Sequence, residues 1–458
     1  MSELTVSALR LIRETCAKAA GELSGDNAMA MQRVDTVLGR LIAEETLVQD
    51  VAASAADRIR GFLNKAEPAT YGALNHELSQ RIANLPEGSG ALPDKQLVAQ
   101  TVAAELDYWN QYLKVMQGAT KPVAAKAEGP EGGTTFDPAV FLDFMRKACP
   151  DESGLEIDHF YTASLGYSKK TILVKLRNNK ALPDEVAVRI DQPFNYLGTT
   201  VRDEYPIVDA LWKQGVCLPQ PLAYEGSGDV FGQPFIVFAK VQGAPIGSNF
   251  VYPARNDAVV ANFARELAKL HAVPMDKSGL PADKLDPSAY LDQEIAKYRQ
   301  DWDALDADCP IIEAGFKWVN IHRAFGDGPA SVVHNDYSYS NVLCHEGRIT
   351  SIVDWEFAHA GTPAADIGYF YYSAEGVASY DLFLREYAAA GGQLPPQETL
   401  DFYILWGQVR LAIMGFQTEI GFQRGQFQDI KFGVPGALMR PHSMNRIGSK
   451  LMELIEKY

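Results

Sequence analysis

The chain has 458 residues, of which 47% are hydrophobic and 22% charged, as in globular proteins of two or three domains. Its net charge of −16 argues against general binding to nucleic acid or to anionic membranes, because both are polyanions. The five cysteines are scattered, without the spacing of a metal site or of a disulfide framework, so we expect a cytoplasmic protein.

Two further patterns concern membranes. The N-terminal sequence MSELTVSALRLIRETC lacks a cationic start followed by an unbroken apolar core, so we expect no signal peptide. The sequence has no run of about 18 apolar residues, so no membrane-spanning helix is predicted.

Residues 1–117 follow a helical pattern throughout. Apolar side chains recur every three or four residues in five stretches, which is typical of amphipathic helices, and glycines and prolines separate the stretches. The apolar sets are Leu9, Ile12, Cys16; Val34, Leu38, Leu41; Val51, Ala55, Ile59, Phe62; Leu74, Leu78, Ile82; and Val98, Val102, Leu106, Trp109, Leu113. We therefore predict an all-α bundle that folds alone. We also predict that this bundle is not needed for catalysis, because the candidate catalytic residues described below all follow residue 136.

A linker is predicted at residues 118–136, which are rich in Gly, Ala, Pro, Lys and Glu. Asp137 follows it and can cap a helix that runs to Lys147. The predicted elements after that helix are strands at 155–163, 171–177, 185–190 and 235–238, a helix from Arg202 to Gln214 and another at about 258–271.

The stretch from Val333 to Asp366, VHNDYSYSNVLCHEGRITSIVDWEFAHAGTPAAD, carries a pattern of chemical groups. Asp336 and Asn341 are five residues apart, and Asp354 follows eighteen residues after Asp336. An acid, an amide and a second acid in this order match the kinase catalytic loop H-x-D-x-x-x-x-N and the metal-binding aspartate that follows it. Asp336 can accept the proton of a hydroxyl, while Asn341 and Asp354 offer oxygen ligands for Mg²⁺. Each residue alone could simply cap a turn, but the ordered set favours phosphoryl transfer.

The same stretch resembles the aminoglycoside phosphotransferase and choline kinase superfamily, the small-molecule branch of the protein-kinase-like fold. His334-Asn335-Asp336 with Asn341 is similar to the catalytic loop of that group, and the central Asn is closer to the choline kinase form. Asp354-Trp355-Glu356 stands where protein kinases have Asp-Phe-Gly. The resemblance covers about residues 134–458.

The tail of the stretch resembles one subgroup in particular. Ala360-Gly361-Thr362-Pro363, followed by Asp366-Ile367-Gly368, is similar to the sequence in kinase-like proteins associated with acyl-CoA dehydrogenases. The resemblance implies that Asp366 and His334 brace the catalytic loop rather than contact substrate.

The resemblance also implies a nucleotide site. The turn at 164–170, SLGYSKK, would cover the ATP phosphates with Gly166 and the hydroxyls of Ser164 and Ser168, although a plain hairpin turn fits the same residues. Arg189 would hold the α- and β-phosphates, paired with Glu204. Lys175 on the preceding strand is the competing phosphate ligand, and an exposed strand lysine is its simpler interpretation.

Residues 239–243 resemble the kinase hinge, and Phe238 and Val241 would contact the adenine. His271 ends a helix at a position that the family uses for packing. The acceptor pocket of the family is built from the C-terminal helices, here near 378–390 and 397–423, where aromatic residues are more typical of a core than of a ligand cage.

These interpretations combine into an α+β protein. An all-α bundle at 1–117 and a linker at 118–136 precede a bilobal kinase-like fold, with an antiparallel N-lobe at 137–242 and a C-lobe at 243–458. The predicted function is transfer of the γ-phosphate of ATP, with Mg²⁺, to a hydroxyl of a small molecule. A hydroxylated acyl or aromatic catabolite is favoured as acceptor, and a choline- or thiamine-like alcohol or an aminoglycoside is the alternative.

A nucleotide-binding pseudokinase or scaffold is the rival of a different class. The intact set of polar residues argues against it, and the single glycine of the phosphate loop argues for it. Neither the oligomeric state nor the choice between ATP and GTP follows from the sequence.

Overall fold

The fold is taken from a computed structural model, which describes residues 9–14, 16, 34–35, 37–43, 48–65, 67–86, 94–119, 136–163, 168–192, 197–248, 252–427 and 432–458. Over these residues, each helix is too short or too polar to cross a lipid bilayer.

The N-terminal region is helical, as its periodicity predicts. Its helices are α1 (Gln49–Phe62), α2 (Tyr71–Ala83) and α3 (Lys95–Ala119), and residues 9–14 and 37–43 are helical too. Most of the apolar side chains predicted to share a face in α1, α2 and α3 are buried. Helical periodicity therefore identified the core faces of these three helices.

The structure divides the chain differently from the predicted domain boundaries. One compact unit comprises Met1–Ala125, Leu291–Asp327 and Pro396–Tyr458, and the other comprises Lys126–Tyr290 and Gly328–Pro395. The helices of the predicted bundle thus share a core with parts of the predicted C-lobe. The predicted linker 118–136 lies mostly outside the described residues, and Phe136 at its end is buried in the second unit.

The first unit also contains four later helices, two of which cover the N-terminal ones. The four are α7 (Pro287–Ala304), α8 (Pro310–Ile321), α12 (Gln397–Gln423) and α13 (Gly433–Lys457). Helix α13 packs on α3 and α12, and α8 packs on α2. Helices α13 and α3 approach closely at Gly448, where an added Cβ atom would lie only 3.3 Å from the side chain of Leu106. Lys317 on α8 donates hydrogen bonds to the backbone oxygens of Ala83 and Leu85 at the end of α2.

The second unit begins with a five-stranded antiparallel sheet. Its elements are α4 (Pro138–Ala148), β1 (Glu156–Ala163), β2 (Lys169–Arg177), β3 (Glu185–Asp191), α5 (Val201–Lys213), β4 (Pro221–Glu225) and β5 (Phe235–Ala239). The strand order is β1-β2-β3-β5-β4. As predicted, the side chain of Asp137 caps α4 by accepting hydrogen bonds from the backbone N–H groups of Ala139 and Val140.

One face of this sheet forms the core of the small lobe. Alternate residues of β2 and β3, among them Ile172 and Val188, are buried with Phe141 and Met145 of α4. The alternation leaves Arg189 on the opposite face, where α5 begins.

The remaining elements of the second unit build the large lobe. They are β6 (Ala244–Pro245), α6 (Asp257–His271), β7 (Ser331–Val333), β8 (Val342–His345), β9 (Arg348–Ile352), β10 (His359–Gly361), α9 (Ala364–Tyr369), α10 (Tyr371–Val377) and α11 (Tyr380–Ala389). Strands β6, β8 and β9 form one small sheet, and β7 pairs with β10 in another. The ends of these short strands present the residues of the candidate site.

Candidate active site

Asp336 and Asn341 lie on the loop between β7 and β8. The side-chain nitrogen of Asn341 donates hydrogen bonds to the backbone oxygen of Asp336 at 3.0 Å and to its Oδ2 atom at 2.7 Å. Asn341 is buried, whereas Asp336 is partly exposed. A carboxylate that is restrained and partly exposed can serve as a general base.

The backbone before Asp336 is fixed by Asp366. Asn335 adopts a left-handed conformation with φ +62°, which asparagine tolerates better than most residues. The backbone N–H groups of His334 and Asn335 donate to the two carboxylate oxygens of Asp366 at 2.8 and 2.7 Å. Asp366 is fully buried, so these hydrogen bonds compensate for the desolvation of its charge. Its predicted bracing role requires contacts of this kind.

His271 also holds Asp366, although the sequence indicated only packing for this residue. Its Nε2 atom lies 3.0 Å from Oδ2 of Asp366, and its Nδ1 atom lies 2.8 Å from the hydroxyl of Tyr387. Burial raises the pKa of Asp366, but the hydrogen bond and charge of His271, together with the hydrogen bond from the backbone N–H of His334, outweigh it, and the pKa is lowered. A histidine at a helix end does not by itself indicate this partner, so the sequence offered no specific signal.

His334 links the catalytic loop to the segment before Asp354. Its Nε2 atom lies 2.9 Å from the backbone oxygen of Val353, and its Nδ1 atom accepts from the backbone N–H of Asp336 at 3.3 Å. Burial lowers the pKa of His334 despite the opposing charge of Asp366. A neutral ring with its proton on Nε2 satisfies both contacts. The loop and the Asp354 segment are therefore held together.

Arg189 contacts two carboxylates at once. Its Nε atom donates to Oε2 of Glu204 at 3.1 Å, and its terminal NH2 group makes a close hydrogen bond to Oδ1 of Asp354. Asp354 has a left-handed backbone with φ +70°, and its side chain is 31% exposed. The structure thus forms the predicted Arg189–Glu204 pair, while Lys175, the competing candidate, is exposed on β2.

The charges around Arg189 are coupled. Burial lowers the pKa of Arg189, but the nearby carboxylates of Asp354, Glu204 and Glu356 outweigh it and raise the pKa above its usual range. Burial raises the pKa of Glu204, and the charge of Arg189 opposes this only in part. The guanidinium is therefore a fixed positive charge beside the partly exposed Asp354.

A second group of charges, which sequence reasoning missed, lies beside this one. Lys169 at the start of β2 and Glu356 in the turn after Asp354 form an ion pair with a Nζ–Oε2 distance of 3.1 Å. Both side chains are buried. The one signal in the sequence was an acid in Asp354-Trp355-Glu356 where kinases have glycine.

The other predicted nucleotide ligands have mixed outcomes. Ser164 and Gly166 lie outside the described residues. Ser168 is buried, and its hydroxyl donates to Oε1 of Glu356 at 2.8 Å, so phosphate binding by Ser168 stays a prediction. Phe238 is buried in β5 and Val241 is partly exposed just after it. Their contact with adenine likewise stays a prediction.

The chemistry of Asn341 and Asp354 fits a magnesium site. The amide nitrogen of Asn341 faces Asp336, so its oxygen is the atom left for a metal. The backbone N–H of Val353 donates to the backbone oxygen of Asn341 at 2.9 Å, which brings Asp354 next to this residue in the fold. Mg²⁺ is commonly held by one or two protein oxygen ligands together with substrate phosphates. Over the described residues, no cluster of three His, Cys, Asp or Glu offers another metal site.

A comparison with protein families matches residues 162–403 to the family described as "Phosphotransferase enzyme family", abbreviated APH. The match covers 242 of the 458 residues and includes the described site from Lys169 to Asp366.

Among curated proteins, the chain is similar to acyl-CoA dehydrogenase family member 11 of Gallus gallus, with 29% identity over 172 residues. That match covers 36% of this chain and 22% of the relative, so the chain spans about a fifth of the length of this relative.

Two crystal structures support the fold. One, from Ralstonia eutropha, is proposed to be an aminoglycoside phosphotransferase; it matches with a TM-score of 0.55 and 19% identity, over 70% of this chain and 99% of the other. The other is choline kinase from Cryptosporidium parvum, with a TM-score of 0.50 and 14% identity, over 70% and 97% of the two chains. The predicted kinase-like α+β fold is confirmed.

Proposed function

Because this chain belongs to the phosphotransferase enzyme family, we propose that it transfers the γ-phosphate of ATP to a hydroxyl group of a small molecule. The favoured acceptor is a hydroxylated acyl compound. The observation that supports the proposal most directly is the chain of contacts from Asp336 through Asn341 to the Asp354 segment and on to Arg189.

In this proposal Asp336 orients the acceptor hydroxyl and accepts its proton. Asn341 restrains the carboxylate of Asp336, and Asp366 fixes the backbone before it. A base that is already in place contributes about 10²- to 10⁴-fold to the rate. The rest of the acceleration comes from alignment and from neutralising charge on the phosphates.

Asn341 and Asp354 would hold Mg²⁺, which neutralises charge on the nucleotide phosphates when it is bound. Arg189 would contact the phosphates with its planar guanidinium, which can bind two oxygens at once. Glu204 keeps this guanidinium in place through its 3.1 Å hydrogen bond.

The choice of an acyl acceptor rests on sequence similarity. The segment Ala360-Gly361-Thr362-Pro363 resembles the acyl-CoA-dehydrogenase-associated subgroup, and the similar Gallus gallus protein carries that name. In the structure this segment is buried, and a Cβ at Gly361 would lie 2.8 Å from the side chain of Val333. Its residues therefore serve packing, and they indicate ancestry rather than contact with the acceptor.

The test is ATP turnover, followed as ADP release, with a panel of acceptors. The panel holds hydroxylated fatty acids with the hydroxyl at different carbons, their thioesters, aromatic alcohols, choline, thiamine and an aminoglycoside. We expect stimulation by one of the hydroxylated acyl compounds. Stimulation by choline or an aminoglycoside alone would refute the acyl acceptor but not the kinase. Binding of Mg-ATP without turnover on any acceptor would indicate a pseudokinase.

A further inference from the structure

Lys169 lies at the centre of a buried cluster that the proposed chemistry does not use. Its side chain is 1% exposed. The Nζ atom donates to the backbone oxygen and the hydroxyl of Thr199 at 2.9 and 2.8 Å and to Oε2 of Glu356 at 3.1 Å. A carboxylate oxygen of Asp191 lies 3.6 Å away. A lysine ammonium tolerates such burial only when its three donors find partners, as they do here.

Glu356 is fully engaged by the same cluster. Its Oε1 atom accepts from the hydroxyl of Ser168 at 2.8 Å, and its Oε2 atom accepts from Lys169 and from the hydroxyl of Thr199 at 2.5 Å. The side chain is 4% exposed. Glu356 follows Asp354 by two residues and could be mistaken for a second metal ligand. Its hydrogen bonds instead direct both oxygens into the protein.

The cluster joins four segments of the second unit. Lys169 starts β2, Glu356 lies in the turn after Asp354, and Thr199 precedes α5. Asp191 ends β3 and accepts hydrogen bonds from the hydroxyl of Thr200 at 2.5 Å and from the backbone N–H of Val201 at 3.1 Å. On β3, on α5 and before the turn, a residue of the proposed nucleotide site lies within about five positions of the cluster.

Those site residues are Arg189 on β3, Glu204 on α5 and Asp354 before the turn. They contact one another, but Arg189 is 16% exposed and Asp354 31% exposed, so their own contacts face solvent in part. The contacts of Lys169 and Glu356 are buried and charge-assisted, and such interactions are stronger and more directional.

We propose that Lys169 and Glu356 are a positioning pair for phosphoryl transfer. The pair anchors the turn after Asp354 to β2, β3 and the start of α5, so that Asp354 and Arg189 stand at the separation that magnesium and nucleotide require. The inference rests on the proposed function. It follows from the geometry because Asp354 has a left-handed backbone and enters the turn Trp355–Phe357 directly, so a shift of Glu356 moves the Asp354 carboxylate.

Two nearly isosteric variants test the pair. Glu356→Gln keeps the shape and removes the charge, and Lys169→Met keeps the length and removes the ammonium. We expect each to raise the Kd for Mg-ATP about 10- to 100-fold, which is the usual effect of losing a residue that orients a metal ligand. Calorimetric titration measures this without any acceptor. When ATP is titrated in the presence of a chelator, the Kd values of the variants and of wild type should differ much less.

Glu152→Gln is the matched control. Glu152 is a buried carboxylate of the same lobe, and it accepts hydrogen bonds from the backbone N–H groups of residues 180–182. These residues lie in the turn after β2, about 26 Å along the strand from Lys169. The control should lower the Tm but leave the Kd for Mg-ATP within about twofold of wild type, inside the scatter for independent sites.

A double variant, Lys169→Met with Glu356→Gln, separates positioning from stability. Replacing both charges often restores the stability that one unpaired charge removes. We expect its Tm to return toward wild type while its Kd for Mg-ATP stays raised. Recovery of both would show that the pair serves stability alone and would overturn the inference, as would single variants that bind Mg-ATP like wild type. Failure of the wild-type protein to bind Mg-ATP would instead refute the proposed function, before any variant is made.

Discussion

The amide nitrogen of Asn341 lies 2.7 Å from the Oδ2 atom of Asp336, so the residue predicted to bind magnesium also restrains the residue predicted to accept the proton. If both predictions hold, Asn341 contributes to metal binding and to the position of the base. Its loss should affect turnover as well as metal binding, whereas the loss of Asp354 should act on the metal nucleotide first.

Asp354→Ala and Asn341→Ala should therefore have different effects on Mg-ATP affinity and on kcat. Asp354→Ala removes a charged ligand and should weaken Mg-ATP binding by about 10-fold or more. Asn341→Ala removes no charge and should weaken binding less, but it frees Asp336 and should lower kcat at saturating Mg-ATP. Calorimetry and steady-state kinetics together measure both effects.

Asp209→Ala, which removes a partly exposed carboxylate paired with Lys213 on α5, is the control and should behave like wild type. Unchanged Mg-ATP affinity in Asp354→Ala would place the metal elsewhere.

Asp366→Asn should destabilise the catalytic loop. Asp366 accepts from two backbone N–H groups and contacts His271, and an amide can replace only one of its two acceptor oxygens. We expect a loss of about 3 kcal/mol, seen as a Tm about 5–10 °C lower, together with a lower kcat.

Tyr387→Phe is the milder control for that variant. It removes the hydroxyl that contacts Nδ1 of His271 at 2.8 Å but leaves the contacts of Asp366 in place. It should cost about 1 kcal/mol and leave kcat near wild type. Equal losses in the two variants would mean that Asp366 has no special role in holding the loop.

Sequence reasoning identified candidate site residues where the signal was local. Asp336 and Asn341 are close in the chain, and their spacing alone indicates a catalytic loop. Lys169 and Glu356 are 187 positions apart, and no periodicity or motif joins them, so only the folded chain brings them together. His271 was placed on the correct helix, but its hydrogen bond to Asp366 spans 95 positions.

The same distinction applies to the N-terminal helices. The periodicity of α1, α2 and α3 identified which faces are apolar, but it did not identify what covers them. The residues that do so come from α8 and α13, more than 190 positions later. An apolar face is equally compatible with a separate bundle and with a shared core, so the predicted boundary at 117 could not be decided from the pattern.

Removal of residues 1–119 should therefore disrupt the remaining chain, although it takes away no residue of the candidate site. The fragment would expose the faces of α8 and α13 that pack on α2 and α3. We expect aggregation or the loss of near-ultraviolet circular dichroism. A soluble fragment with the wild-type Tm and kcat would contradict the shared core.

Stability should depend on pH through Glu105 of α3. This carboxyl is fully buried; burial raises its pKa to about 7, although the hydrogen bond from Tyr71 at 2.8 Å opposes the shift. The folded state holds the proton of Glu105 more tightly than the unfolded state does. The contribution of this protonated carboxyl to the free energy of unfolding is therefore complete below pH 4.5 and is lost as the pH rises through about 7.

Glu105→Gln should remove that loss and make the protein more stable than wild type at pH 8, by up to about 3 kcal/mol. Thermal unfolding from pH 5 to pH 8 measures the slope. Asp107→Asn, at a partly exposed carboxylate on the same helix, should retain the wild-type slope. An identical slope in Glu105→Gln would show that Glu105 is already ionised in the folded state.

The most direct test of the account is ³¹P NMR of the acceptor after incubation with Mg-ATP, for wild type and for Asp336→Asn. We predict a phosphate-ester resonance on a hydroxylated acyl acceptor with wild type. With Asp336→Asn the rate of its formation should fall about 10²- to 10⁴-fold while calorimetry still shows Mg-ATP binding. Ester formation at the wild-type rate in Asp336→Asn would contradict the assignment of this aspartate as the base, and with it the proposed site.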